Sequence, residues 1–327
     1  ANRTLDMQTN NSALNVVGIT DNSGEIKLGS QPAQFTGAVT NSGTITGGSR
    51  AVTFGGNVTN DGKITASDGA VTFGGNVTND GEINGSSGKI TFSGTYGSST
   101  ATETTPAKLT ASSGNTNFSS DADFSYTTFN ANGGIVLFSS TETTGQTLKL
   151  ANTTTFNKIS IQTSAGGFTA EGTENGKLIA NTLTLINTNA DAIFNIPINA
   201  AIIEMKNTAE TAGAVTFNND VTAVTINNPT DHSVINFDIT FNAATTVTNS
   251  VTFGTTGTLT LGNNTEDTFI FKGGIKHTAG NTTLCGKIIT NSSPVVLSSD
   301  ANIKTLTLTG NSTIQTTGAV GNETGAA

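Results

Sequence analysis

The chain has 327 residues, 34% hydrophobic and only 11% charged, and carries a net charge of -9. That balance excludes a phosphate-backbone binder, which needs clustered Lys and Arg, and the single Cys285 excludes an internal disulfide framework or a cysteine-based zinc site. No stretch approaches the roughly 18 apolar residues of a membrane-spanning helix, so no membrane insertion by this segment is expected.

Thr, Asn, Ser and Gly stand where helix formers usually sit, and β-branched Thr favours extended backbone. Apolar residues recur at every second position, as in Val52-Thr53-Phe54, so the chain has a face to bury and does not read as disordered.

The best-defined segment is 16–96. Ala51 to Gly62 returns letter for letter as Ala70 to Gly81, a period of 19 residues. Three further columns keep that period: Phe35, Phe54, Phe73 and Phe92; Ile26, Ile45, Ile64 and Ile83; Gly24, Gly43, Gly62 and Gly81. Within one repeat the apolar residues fall in three short groups separated by Gly- and Asn-rich corners. Nineteen residues at about 3.3 Å each suit one turn of a coil whose neighbours lie about 4.8 Å away. The fold class expected is all-β: a right-handed parallel β-helix, three-sided, with about 19 residues per coil.

Each column then gains a role. The Phe column is an internal aromatic stack, the Ile column a second internal ladder, and Asn22, Asn41, Asn60 and Asn79 an amide ladder at a corner. Glycine two residues after each Asn reads as a position needing a left-handed backbone.

Residues 97–107, Ser- and Thr-rich with Pro106, read as an excursion leaving the stack. From 108 to 315 the exact period fades while its vocabulary persists. Val215-Thr216-Phe217 and Val251-Thr252-Phe253 match the spacing of Val52-Thr53-Phe54, so coils of variable length are expected there, with 166–176 as a second loop. Residues 316–327 read as a tail, and the whole of 1–327 as one solenoid.

Two families share these letters. Asn22-Ser23-Gly24-Glu25-Ile26 and Asn41-Ser42-Gly43-Thr44-Ile45, on a 19-residue period, resemble the repeats of filamentous-haemagglutinin-type adhesins. Phe54 to Asn60 and the Thr- and Asn-rich remainder resemble autotransporter passengers of the rickettsial surface-antigen type. The resemblance implies a bacterial, type V-secreted β-helix exposed extracellularly at the cell surface; the membrane barrel of an autotransporter is not among these residues.

No constellation for catalysis stands out. Asp231-His232 beside Pro229 reads as a loop, and His277 has no metal-ligand spacing to Cys, Asp or His232. Asp61 and Asp80 stack one coil apart, where a cation is conceivable but a wet turn is the simpler reading. The Asn-x-Thr triplets at Asn57 and Asn76 follow from composition, and Cys285 reads as a small interior residue. No catalytic, cofactor-binding or metal residues are therefore assigned, and no cofactor. The function expected is non-enzymatic surface display or adhesion toward a host or neighbour-cell ligand. The alternative is a self-assembling layer or fibre in which copies of the chain are the partners. A carbohydrate-active β-helix enzyme is the third and least favoured reading.

Overall fold

The computed structural model describes residues 3–9, 12–140, 142–163, 166–187, 190–207, 213–228, 237–297 and 306–315. Short β-strands wind through about 13 turns of roughly 21 residues, and no helix occurs among the described residues. The chain divides into two compact units, one of residues 1–140 with 146–159, the other of 141–145 with 160–327.

In the first unit each coil contributes three strands, and each strand pairs in parallel with its equivalent one coil away. Val52–Phe54 lies between Ala33–Phe35 and Val71–Phe73, Val58–Asn60 between Val39–Asn41 and Val77–Asn79, and Lys63–Thr65 between Thr44–Thr46 and Glu82–Asn84. Every partner is the residue 19 positions on. Alternation of side chains along a strand sends Val52 and Phe54 inward and leaves Thr53 half-exposed on the outer face.

Stacking like on like gives the interior its character. Phe35, Phe54, Phe73 and Phe92 are buried with ring centroids 5.2, 5.1 and 4.9 Å apart and ring planes nearly parallel. Parallel rings at this spacing are the offset-stacked arrangement that aromatic quadrupoles favour. The stack continues beyond the exact repeat to Phe118 and Phe138, at 4.8 and 5.1 Å. It survives because residues 93–117 lengthen the coil to a 26-residue step while Phe92 still pairs with Phe118.

Asn22, Asn41, Asn60 and Asn79 form the expected ladder, buried at strand ends. The Nδ2 of Asn22, Asn41 and Asn60 each donates to the Oδ1 of the next asparagine at 2.7 Å and also to a backbone carbonyl of the next coil. A primary amide is donor and acceptor at once, so identical residues satisfy each other in a column where identical charges would repel.

The glycine column has a different cause from the one expected. None of Gly24, Gly43, Gly62 and Gly81 has a positive φ. A Cβ on Gly62 would instead collide with the carbonyl oxygen of Gly43 one coil below, and one on Gly81 with that of Gly62. Coil-to-coil approach, not handedness, requires glycine there.

In the second unit the steps are longer and less regular, at 23, 24 or 20 residues. Phe194, Phe217 and Phe241 rebuild the stack at 5.1 and 5.0 Å, and Leu261 and Leu284 then take the same column. Val215–Phe217 belongs to this ladder as its letters suggest, but Val251–Phe253 does not. It pairs with Ile275–His277 in a separate three-stranded sheet, and Phe253 meets Phe241 edge-on at 6.1 Å. The loop expected over 166–176 contains a strand, Phe168–Gly172, and only 173–176 turn, closed by Gly176 N–H to Thr173 O. The tail 316–327 lies outside the described residues.

Phe73→Ala should cost the coils around it about 3–5 kcal/mol, as a cavity in a closed aromatic column, whereas Thr72→Ala, half-exposed on the outer face, should cost under about 1 kcal/mol. Amide hydrogen exchange across residues 50–95 separates the two; equal losses would show that the inward and outward assignments are reversed. By the same measurement Gly62→Ala should open its corner, while Gly55→Ala, whose Cβ meets nothing closer than 3.4 Å, should be tolerated.

Candidate functional site

The 19-residue step of the first unit first breaks after Tyr96, and what breaks it is visible one residue at a time. The amide ladder ends at Asn79, because Ser98, not Asn, stands 19 positions on. Tyr96 occupies the inward position that Val77 holds one coil below. Its ring is buried among Phe92, Phe118 and Phe124, and its hydroxyl accepts the Nδ2 of Asn79 at 3.3 Å. Burial pushes the Tyr96 phenol up to about 12, against the smaller pull of its hydrogen bonds, so it stays protonated.

Past Gly97 the chain leaves the stack, and Asp80 holds the departure. Its Oδ1 accepts from the Ser98 hydroxyl and from the N–H groups of Ser99, Thr100 and Ala101 at 2.9, 3.0 and 3.3 Å; its Oδ2 accepts the Ser99 hydroxyl at 2.8 Å. Burial works to raise this carboxyl, yet the donors from Ser98, Thr100 and Ser99 outweigh it and hold the group well below the usual carboxylate range. The tip closes on itself through the Thr102, Thr104 and Thr105 hydroxyls, and Lys108 N–H to Gly81 O returns the chain to register. The excursion thus spans 98–106, between the strands Tyr96–Gly97 and Ala107–Thr110.

It overhangs the face formed by Lys63–Thr65, Glu82–Asn84, Ala107–Thr110 and Thr127–Asn130, with a recess on either side of Pro106. One, open and about 440 Å3, carries Asp61, Asp80, Glu82, Lys63 and Lys108, with Lys63 paired to Glu82 at 3.5 Å. The other, about 230 Å3, lies between Glu103 and Pro106 of the excursion and Tyr126, Phe129, Asn152 and Thr153 of the coils.

The remaining sequence candidates are placed as follows. Asp80 spends both oxygens on protein donors, which leaves Asp61 without a partner carboxylate for a cation, and no group of three or more His, Cys, Asp or Glu that could hold a metal forms among the described residues. His277 is buried, its Nδ1 2.8 Å from Thr282 Oγ1 and its Nε2 3.1 Å from Thr255 O, a structural role. Cys285 is half-buried on the outer alternation of Thr282–Ile289, where the register to the next strand shifts, and not in the interior as expected. Asn57 and Asn76 accept N–H bonds from Asn76 and Thr95 with their Oδ1 atoms. Asp231 and His232 lie outside the described residues. Sequence reasoning missed Tyr126, Glu103 and Asn152; the one available signal was Tyr126 itself, one of only two tyrosines in a chain without tryptophan.

Asp80 anchors only while ionised, and its folded value lies well below the unfolded one, so the anchoring contribution is full above about pH 5, begins to decline below the unfolded value of about 4, and is lost only as strong acid reaches the folded value. Asp80→Ala should speed exchange of the Ser99, Thr100 and Ala101 amides by at least about tenfold at neutral pH, as loss of charge-assisted bonds implies. Wild type should approach the variant on acidification. Exchange unaltered by the substitution would show that the excursion is held by something else.

No family model matches the chain, and no curated protein or solved structure is significantly similar to it. Its function is therefore argued from its own geometry.

Proposed function

We propose that this chain is a non-enzymatic surface-display or adhesion protein, the passenger segment of a type V-secreted bacterial β-helix, exposed outside the cell. The observation that carries the reading is the Asp80-anchored excursion at 98–106, which presents Glu103 and Pro106 over a coil face whose own register is locked from within. A fold whose interior ladders carry the stability leaves its outer positions free for recognition, and loops on rigid scaffolds are where binding concentrates. The Thr- and Asn-rich wording, similar to autotransporter passengers, supports the same reading.

A second reading is a self-associating layer or fibre. It is favoured by the second unit, where Asn195, Asn218 and Asn242 form an exposed amide ladder at 2.8 and 2.7 Å beside half-exposed Thr216, Thr240, Thr260 and Thr283 in register. Flat, uncharged, periodic ranks of this kind present weak repulsion to a copy of themselves.

Beads coated with the protein should adhere to host or neighbouring bacterial cells, and adhere less when residues 98–106 are removed. Sedimentation across a wide concentration range should at the same time show a monomer. Concentration-dependent association with adhesion indifferent to the deletion would favour the assembly reading.

A further inference from the structure

Aromatic rings in this protein are hidden with one exception. Of 17 Phe, 16 are buried and Phe129 is half-buried; Tyr96 is buried; Tyr126 is 46% exposed. That one open ring lines the 230 Å3 recess under the excursion. Phe129 beside it is fixed from behind by Phe124 and Phe156, with centroids at 5.2 and 4.9 Å, so the aromatic floor is rigid. Across it stands Glu103, the only charged side chain among the lining residues, and along its edge lie the exposed Asn152, Thr153 and Thr128.

We propose that this recess is a saccharide-binding site that takes a neutral sugar residue of a glycan. An exposed tyrosine face offers apolar area at low entropic cost, suited to the C–H face of a pyranose. The carboxylate, amide and hydroxyls around it can accept from and donate to vicinal sugar hydroxyls. The recess is smaller than the roughly 300–1,000 Å3 of drug-sized sites, which fits one sugar ring. With Glu103 present and no Lys or Arg lining it, sulfated or carboxylated sugars are disfavoured. A bare organic cation would use the ring and Glu103 but leave the neutral hydroxyl and amide edge without a partner. Asp80 contributes at a distance, since it fixes the root of the excursion that brings Glu103 and Pro106 over Tyr126.

The proposal rests on the recognition reading above for its biological setting, and names the ligand class that reading lacks. Saturation-transfer NMR on the purified protein with maltotriose, cellotriose and chitotriose, and with tetramethylammonium as the cationic probe, tests it. Transfer from at least one trisaccharide is expected, with affinity about fivefold or more weaker in Tyr126→Ala (~1 kcal/mol or more) and reduced in Glu103→Gln. Because Tyr126 is exposed, the variant should keep the wild-type exchange pattern. Transfer that is absent for all three sugars, unaffected by Tyr126→Ala, or stronger for tetramethylammonium overturns the site. Adhesion that persists without sugar binding overturns the site and spares the adhesion reading; Tyr126-dependent sugar binding by a protein that does not adhere supports the site and overturns that reading.

Discussion

Stacking each coil in register on the last is the constraint from which the rest of this structure follows. Parallel strands with a constant step place every side chain above its own equivalent, so each position must be occupied by a residue that tolerates a copy of itself about 4.8 Å away. Phenylalanine meets the condition by offset stacking, isoleucine by packing, asparagine because its amide is self-complementary, and glycine where the neighbouring carbonyl leaves no room for Cβ. Carboxylates do not meet it inside. The charges accordingly sit on outer positions, where Glu25 and Lys27, or Lys63 and Glu82, alternate in sign along or between coils.

The same constraint explains how the excursion is built. Interrupting a ladder leaves a buried amide with an unmatched donor, which costs free energy unless a partner is supplied. Tyr96 supplies it for Asn79, and does so by enlarging an inward position that holds valine in the earlier coils. Two residues later the chain exposes a run of hydroxyl and N–H donors at the start of the excursion. Asp80, which one coil earlier has its counterpart in Asp61, is already in place to collect them. The excursion begins where the columns change residue type: Tyr96 closes the amide ladder and Asp80 holds the root of the excursion.

Much of this was legible in the sequence while the step stayed at 19, because a constant period turns spacing into contact. The Phe, Ile and Asn columns between 22 and 92 are found in the register that spacing implies. Legibility failed where the step changed. Phe118 and Phe138 continue the stack but fall at 26 and then 20 residues, so no fixed offset finds them. Val251-Thr252-Phe253 shows the opposite failure: the local wording is right for a strand yet silent about which ladder it joins, since that depends on how many residues the preceding corner consumes. The glycine column was located correctly and explained wrongly, as a sequence carries no record of how closely two coils approach.

The recess at Tyr126 was illegible for the same reason, compounded. Its lining comes from an excursion, from the coil after it and from Asn152 and Thr153 beyond a second long step, so its members are brought together by two 26-residue steps rather than by a motif. A stacked-coil fold can vary such insertions without disturbing the columns, because a longer corner returns to register as Lys108 does on Gly81 and the next Phe still finds its partner. Stability and the proposed recognition thus draw on different parts of each coil: the inward columns set where it lies, and the outward corners are free to differ. The expectation that follows is local. In this first unit the proposed recess is built where a long corner, carrying Glu103 and Pro106, folds over a strand face that carries Thr128 and Phe129, and the period-19 coils below serve as the scaffold that aims them.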